Sequence, residues 1–162
     1  MMIDSKPLIA LVTGATGAVG PTLVKNLIEE GFQVRVLLQP GVEAQMLPED
    51  VISIIGDITD QEAVNEAVKG VDFVFHLAAK LHIYNPDPSL RMEYERVNVD
   101  GTKTIVDASV AANVSRVIFF NTINVYGSGR PGQEFFENSR FADRPRRRKK
   151  SAQVFNPRPK PD

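Results

Sequence analysis

Cysteine is absent from this chain, so neither disulfides nor thiolate-bound metals contribute to its stability or chemistry. Tryptophan is also missing, and the two histidines, His76 and His82, are too few for an expected zinc site. No apolar run approaches the roughly 18 residues needed to cross a bilayer. The longest early run, residues 8–12, has no basic stretch before it and no small-residue cleavage site, and it leads straight into Thr13-Gly14. That pattern reads as a first strand and not as a signal peptide. Together these absences point to a cytoplasmic protein with no membrane partner. Acidic residues are scarce in one region alone: residues 128–162 hold 10 Lys and Arg against 4 Asp and Glu, a net charge of +6. Residues 1–127 hold 9 against 16, a net charge of −7, so two unlike kinds of sequence are joined.

What is present suits one domain. The 162 residues are 43% hydrophobic and 24% charged, enough to bury a sizeable core. Short apolar runs at residues 8–12, 34–38, 51–55, 71–77 and 116–120 predict five strands. Between them, Leu23, Val24, Leu27 and Ile28 recur at helical spacing over residues 21–30, with Pro21 in the first turn and Gly31 suited to end the helix. Residues 61–68 predict a short helix with Asp60 as its N-cap, and residues 89–112 predict one long helix. Strict strand–helix alternation predicts an α/β fold with a doubly wound parallel sheet. From residue 128 onward glycine, proline and arginine dominate. Apolar residues become too sparse to offset the entropy of ordering, and residues 140–162 at least are expected to be disordered. The expected division is therefore a domain over residues 1–127 and a basic tail over 128–162.

The turn Gly14-Ala15-Thr16-Gly17-Ala18-Val19-Gly20 lies between the first strand and the first helix. Glycines there permit a tight turn and a close backbone approach to a diphosphate, while a helix N-terminus supplies unpaired N–H groups. A side chain larger than alanine near Gly17 or Gly20 is expected to push such a ligand away. Asp57 ends the third strand, where open α/β sheets bind ligands, and its carboxylate suits either an adenine amine or a cap in a turn. Ala78 and Ala79 are small, as a chain passing close to a ribose or a tightly packed strand end requires. Asn98 and Thr102 share one face of the long helix.

These segments, in order, resemble the extended short-chain dehydrogenases/reductases of the epimerase/dehydratase type. Thr13–Gly20, read as TGATGAVG, fits TGxxGxxG; Gly56-Asp57-Ile58-Thr59-Asp60 is similar to the family's acidic turn; His76-Leu77-Ala78-Ala79 resembles HxAA; residues 98–102 fit NVxGT; and Val125-Tyr126-Gly127 fits VYG. The resemblance implies a Rossmann-like sheet in the order 3-2-1-4-5. It also implies a nicotinamide dinucleotide held by Gly14, Thr16, Gly17, Ala18, Val19, Gly20, Gln39, Asp57, Ile58, Leu77, Ala78, Ala79 and Lys80. His76 is not the family's base, and Asn98 with Thr102 is implied to brace the strands of the active site. At the end of the second strand an acidic residue favours NAD and an arginine favours NADP. Here Leu38 and Gln39 carry neither charge, and Gln39 suits a ribose hydroxyl better than a phosphate, so the expectation leans to NAD with NADP left open. Arg35 is expected to point elsewhere.

The family's chemistry uses a tyrosine as proton donor or acceptor, a lysine four residues on that lowers its pKa, and a Ser or Thr hydroxyl that orients the substrate. Thr122 matches the hydroxyl, with Asn121 where serine is common. Tyr84, Tyr94 and Tyr126 are the tyrosines, and none has a lysine four residues later. Arg130 follows Tyr126 at that spacing, but Gly127, Gly129 and Pro131 disfavour a helical turn there. The sequence therefore predicts an oxidoreductase lineage acting on a sugar nucleotide or similar carbonyl or alcohol, inactive in this form, or alternatively a non-catalytic dinucleotide sensor. The six cations among residues 144–150 are read as a solvated run and not as a nucleic-acid site. Residues 117–120 are expected to form an apolar edge open to self-association. Residues 133–139 still resemble the family and residues from 140 do not, which suggests a shifted reading frame. Sequencing the gene past the codon for Tyr126 is expected to reveal Tyr-x-x-x-Lys in a neighbouring frame; its absence from all three frames counts against the shift.

Overall fold

Alternation along the first strand, β1 (Ile9–Thr13), sets the layering. Ile9 and Leu11 point into one apolar cluster and Ala10 and Val12 into another, so both faces of the strand are buried. In the computed structural model, which describes residues 6–81 and 88–121, β1 lies at the centre of a five-stranded parallel sheet. The other strands are β2 (Gln33–Leu38), β3 (Ile52–Ile55), β4 (Phe73–His76) and β5 (Arg116–Phe119), in the order β3-β2-β1-β4-β5. This is the order expected of a Rossmann-like fold. Order reverses between β1 and β4, which opens a crevice at the carboxyl ends of those strands.

Helix α1 (Gly20–Glu29) covers one face, burying Val24 and Leu27 against Val34 and Val36 of β2. Helices α2 (Gln61–Val68) and α4 (Gly101–Ala111) cover the other, packing Val64, Val68 and Ile105 on Leu11, Leu37 and Val74. Asp60 caps α2 through its side chain, which accepts from the N–H groups of Glu62 and Ala63 at 3.0 and 3.2 Å. α1 ends in a paired motif: Gly31, at φ +85°, donates to Ile28, and Phe32 donates to Leu27. Asn113, at φ 57°, ends α4 the same way, with Asn113 bonding Val110 and Val114 bonding Ser109. Arg35, near the middle of β2, turns away from the carboxyl edge. Its Nη1 donates to the carbonyls of Ala67 and Lys69 at 2.7 and 2.9 Å and so closes the C-terminus of α2.

The long helix departs from expectation in its interior. A 3₁₀ turn at Pro88–Leu90 leads into α3 (Arg91–Glu95), a π-helical turn at Arg96–Asp100, and then α4. The hydroxyls of Thr102 and Thr104 donate to the carbonyls of Asn98 and Asp100 at 2.8 and 3.0 Å, supplying partners where the regular ladder is interrupted. Among the described residues β5 pairs with β4 on one side, and Phe119 and Phe120 stay 51% and 42% exposed. The described residues up to Phe120 belong to one compact unit. The boundary expected after residue 127, the tail, and Thr122 and Tyr126 lie outside the described residues.

Gly20 is the tightest point of the α1 packing: an added Cβ would stand 2.2 Å from the Ala15 carbonyl oxygen. Gly20→Ala is expected to lower stability by about 2–3 kcal/mol through this overpacking, read as a drop in the denaturant midpoint at unchanged m. An unchanged midpoint would contradict the contact.

Candidate dinucleotide site

Thr13 ends β1, His76 ends β4, and the strand register places them side by side. Their side chains start a directed line of hydrogen bonds. The Ala78 N–H donates to Thr13 Oγ1 at 3.3 Å, and the Thr13 hydroxyl lies 2.7 Å from His76 Nδ1. His76 Nε2 lies 3.1 Å from Thr102 Oγ1, whose own proton goes to the Asn98 carbonyl. With Thr102 donating onward, Nε2 carries the imidazole proton and Nδ1 accepts from Thr13, so the ring is neutral. Burial drives its pKa down to about 4 from 6.5. Phe119 stacks on the same ring at a centroid distance of 5.6 Å.

The Asn98 side chain continues the brace. Its Oδ1 accepts from the Lys80 N–H at 2.7 Å and its Nδ2 donates to the Lys80 carbonyl at 2.9 Å. The segment after β4, Leu77-Ala78-Ala79-Lys80, is thereby pinned from both Thr13 and Asn98. The Lys80 ammonium pairs with Glu93 and lies 5.6 Å from the centre of the Tyr94 ring.

Across the crevice the glycine loop divides its work three ways. Gly14 sits at φ +70°, and an added Cβ would lie 2.6 Å from the Ala78 nitrogen, so loop and β4 segment touch backbone to backbone. Gly17 is exposed and meets a single neighbour, the Gly14 carbonyl, at 3.3 Å. Gly20 packs on Ala15, so an added Cβ there would strike the protein's own loop. Val19 precedes α1 without a side-chain cap, Pro21 occupies the first turn, and Gly17, Ala18 and Val19 are exposed. Such an uncapped terminus beside an open glycine suits a diphosphate. Thr16 is half-buried in the same loop.

Next along the carboxyl edge, Gln39 follows β2 and Asp57 follows β3, with the Gly56 N–H bonded to the Leu38 carbonyl at 2.8 Å. Gln39 Nε2 donates to Asp57 Oδ2 at 2.8 Å, a contact between two side chains that sequence reading had assigned separately. Asp57 Oδ1 accepts from the Thr59 N–H and hydroxyl at 2.9 and 2.7 Å, so the turn reading of this aspartate holds. Arg96 Nη1 donates to the same hydroxyl at 2.9 Å. Burial raises the Asp57 pKa, but the bonds from Thr59 and Gln39 and the charge of Arg96 outweigh it and hold the carboxyl below its usual 3.8. Ile58 is buried under α4, where Gly101 leaves it room: a Cβ there would come within 2.7 Å of the Ile58 side chain.

Sequence reading missed Arg96, Glu93 and the hydroxyl of Thr13. Thr13 carried a signal, since a hydroxyl ending a fully buried strand must find a partner. Arg96 and Glu93 carried none, because their partners stand 37 and 13 residues away in sequence. Among the described residues no helix is long and apolar enough to cross a membrane, and no cluster of three or more His, Asp or Glu forms a metal site.

Residues 10–148 match the NAD dependent epimerase/dehydratase family. The chain is 36% identical over 123 residues to a 3-beta-hydroxysteroid dehydrogenase of Mycolicibacterium neoaurum, covering 74% of this chain and 33% of that enzyme. It is 30% identical over 135 residues to an inverting UDP-N-acetylglucosamine 4,6-dehydratase of Campylobacter jejuni, covering 73% of this chain and 39% of the other. A solved short-chain dehydrogenase/reductase superfamily protein of Agrobacterium tumefaciens, with NAD bound, superposes with a TM-score of 0.62 at 33% identity, covering 74% of this chain and 34% of that one. The chain thus spans little more than a third of the length of these relatives.

The neutral state of His76 has a measurable consequence. Its folded pKa lies below its unfolded value, so the unfolded chain takes up the proton first as pH falls. Stability is full above pH 6.5, declines between 6.5 and about 4, and levels off below, with a total loss of about 3 kcal/mol. Denaturant unfolding across this range is expected to show the slope in the native chain and to lack it in His76→Gln.

Proposed function

The chain belongs to the NAD dependent epimerase/dehydratase family, and from that premise we propose that it binds NAD at the carboxyl ends of β1 to β4 without completing a reaction. The observation that carries this reading is the convergence of three features on one sheet edge. They are the open Gly17 beside an uncapped α1, the Gln39–Asp57 pair, and the small Ala78 segment pinned by Thr13 and Asn98. Each fits a part of the dinucleotide by its chemistry: N–H groups for the diphosphate, acceptor oxygens for adenine and ribose, and a close backbone for the nicotinamide half. In this reading Gly14, Thr16, Ala18, Val19, Gly20, Ile58, Leu77, Ala79 and Lys80 shape the same cleft.

The bound nicotinamide supplies a hydride acceptor or donor for an alcohol–carbonyl exchange. The residues of this chain bind and orient it. His76 stays neutral and holds the β4 segment in place, moving no proton at the substrate. Thr122 is proposed as the hydroxyl that orients a substrate oxygen. The sequence contains no tyrosine with a lysine four residues on, so it does not supply the pair that makes a phenol a base near neutral pH. The lineage reading is an oxidoreductase acting on a sugar nucleotide or a similar carbonyl or alcohol. A non-catalytic dinucleotide sensor shares the same binding site, and the missing Tyr-x-x-x-Lys favours it equally. Nothing in the cysteine-free composition calls for an oxidising compartment, and the cytoplasm is part of this reading.

Calorimetric titration with NAD is expected to show one site per chain, with no change in nicotinamide absorbance on adding nucleotide sugars. Gly17→Val is expected to weaken NAD binding about tenfold by obstructing the diphosphate approach. Its unfolding midpoint should stay close to native, because an added Cβ meets one atom at 3.3 Å. Undiminished binding by the variant, or no binding by the native chain, would count against the site.

A further inference from the structure

The link between Gln39 and Asp57 has a consequence for which dinucleotide the site accepts. A carboxylate can only accept hydrogen bonds, so the Gln39 amide must turn its nitrogen toward Asp57, as the 2.8 Å Nε2 to Oδ2 contact records. One of its two N–H groups is thereby consumed, and the carbonyl Oε1 remains as a free acceptor beside a full negative charge. A ribose hydroxyl is a donor and suits such an acceptor. A 2′-phosphate presents acceptor oxygens and negative charge, and needs donors and cations instead.

The neighbouring guanidinium groups each bond another part of the protein. Arg35 spends its Nη1 on the carbonyls of Ala67 and Lys69 at the end of α2. Arg96 binds the Thr59 hydroxyl on the Oδ1 side of Asp57, while Gln39 occupies the Oδ2 side. Thr59 holds Oδ1 by two bonds and so fixes the carboxylate that orients Gln39.

We propose that Asp57 is a specificity-determining residue that excludes the 2′-phosphate through Gln39, by fixing that amide with its carbonyl available and one of its two N–H groups engaged. This rests on the reading that the sheet edge binds a nicotinamide dinucleotide, and it assigns Asp57 a second task besides any contact with adenine. Asp57→Asn inverts the arrangement. The introduced side-chain amide donates to Gln39 Oε1, its oxygen still accepts from Thr59, and Gln39 Nε2 is turned outward as a donor.

The test is calorimetric titration of the full chain with NAD and with NADP, comparing the native protein, Asp57→Asn, Gln39→Leu and the double variant. The native chain is expected to prefer NAD by about tenfold or more, and Asp57→Asn to move the ratio of dissociation constants toward NADP by about tenfold. A lost adenine contact weakens both dinucleotides alike and cancels in the ratio. In the Gln39→Leu background, Asp57→Asn is expected to leave the ratio within about twofold, since the amide it acts through is gone. An unchanged ratio in the single variant overturns the proposal, as does an equal shift with and without Gln39, which would mean that the charge acts directly. A native preference for NADP overturns it as well. Failure of the native chain to bind either dinucleotide overturns the binding reading itself, before any variant is compared, and the proposal with it. Should Asp57→Asn fail to fold, Gln39→Leu at its exposed position decides: movement of the ratio toward unity is expected, and an unmoved ratio overturns the proposal.

Discussion

At the carboxyl ends of β1 and β4 a neutral imidazole is held between two threonine hydroxyls, and the geometry of the cleft hangs from that line of bonds. His76 is buried, so each of its nitrogens needs a partner, and Thr13 and Thr102 supply one each. Because each hydroxyl both donates and accepts, the line has a direction. It begins at the Ala78 N–H and ends at the Asn98 carbonyl. Two central strands and the helical rod above them are tied together there, and the segment that closes the crevice cannot move independently of the sheet.

A second feature is the way charge is disposed around that crevice. Arg35 is turned to the far end of α2, Lys80 is paired with Glu93, and Arg96 is bonded to Thr59. The edge that remains presents acceptors at Gln39 and Asp57 and backbone N–H groups at the start of α1. Donors lie toward the start of α1 and acceptors toward the ends of β2 and β3, so the polarity runs along the strand ends of the sheet.

Much of this was legible in the sequence because its signals are local. Five apolar runs, Asp60 before a helical pattern, Gly31 after one, and the spaced glycines 14, 17 and 20 each act over a few residues. The five strands and the helices α1 and α2 fall within a residue or two of expectation. The strand order came from the family resemblance, and the observed topology agrees with it. What stayed hidden is long-range. Gln39 meets Asp57 across 18 positions, Arg35 meets Ala67 across 32, and Thr13 meets His76 across 63. No periodicity marks such pairs. The π-helical turn at Arg96–Asp100 escaped for a different reason: its apolar spacing continues that of the flanking helix, with Tyr94, Gly101 and Ile105 all buried.

The central place of β1 also favours an order of assembly. Pairing Ile9 with Gln33 closes a short loop, while pairing Ala10 with Phe73 must close one more than twice as long. Loop-closure entropy alone favours the first by about 1 kcal/mol, and a chain growing from its N-terminus makes β2 available well before β4. The glycine turn is therefore shaped against α1 early, whereas its opposite wall at Ala78 arrives with the last closures. A ligand that needs both walls would find its seat only in a chain in which the long closure has been made.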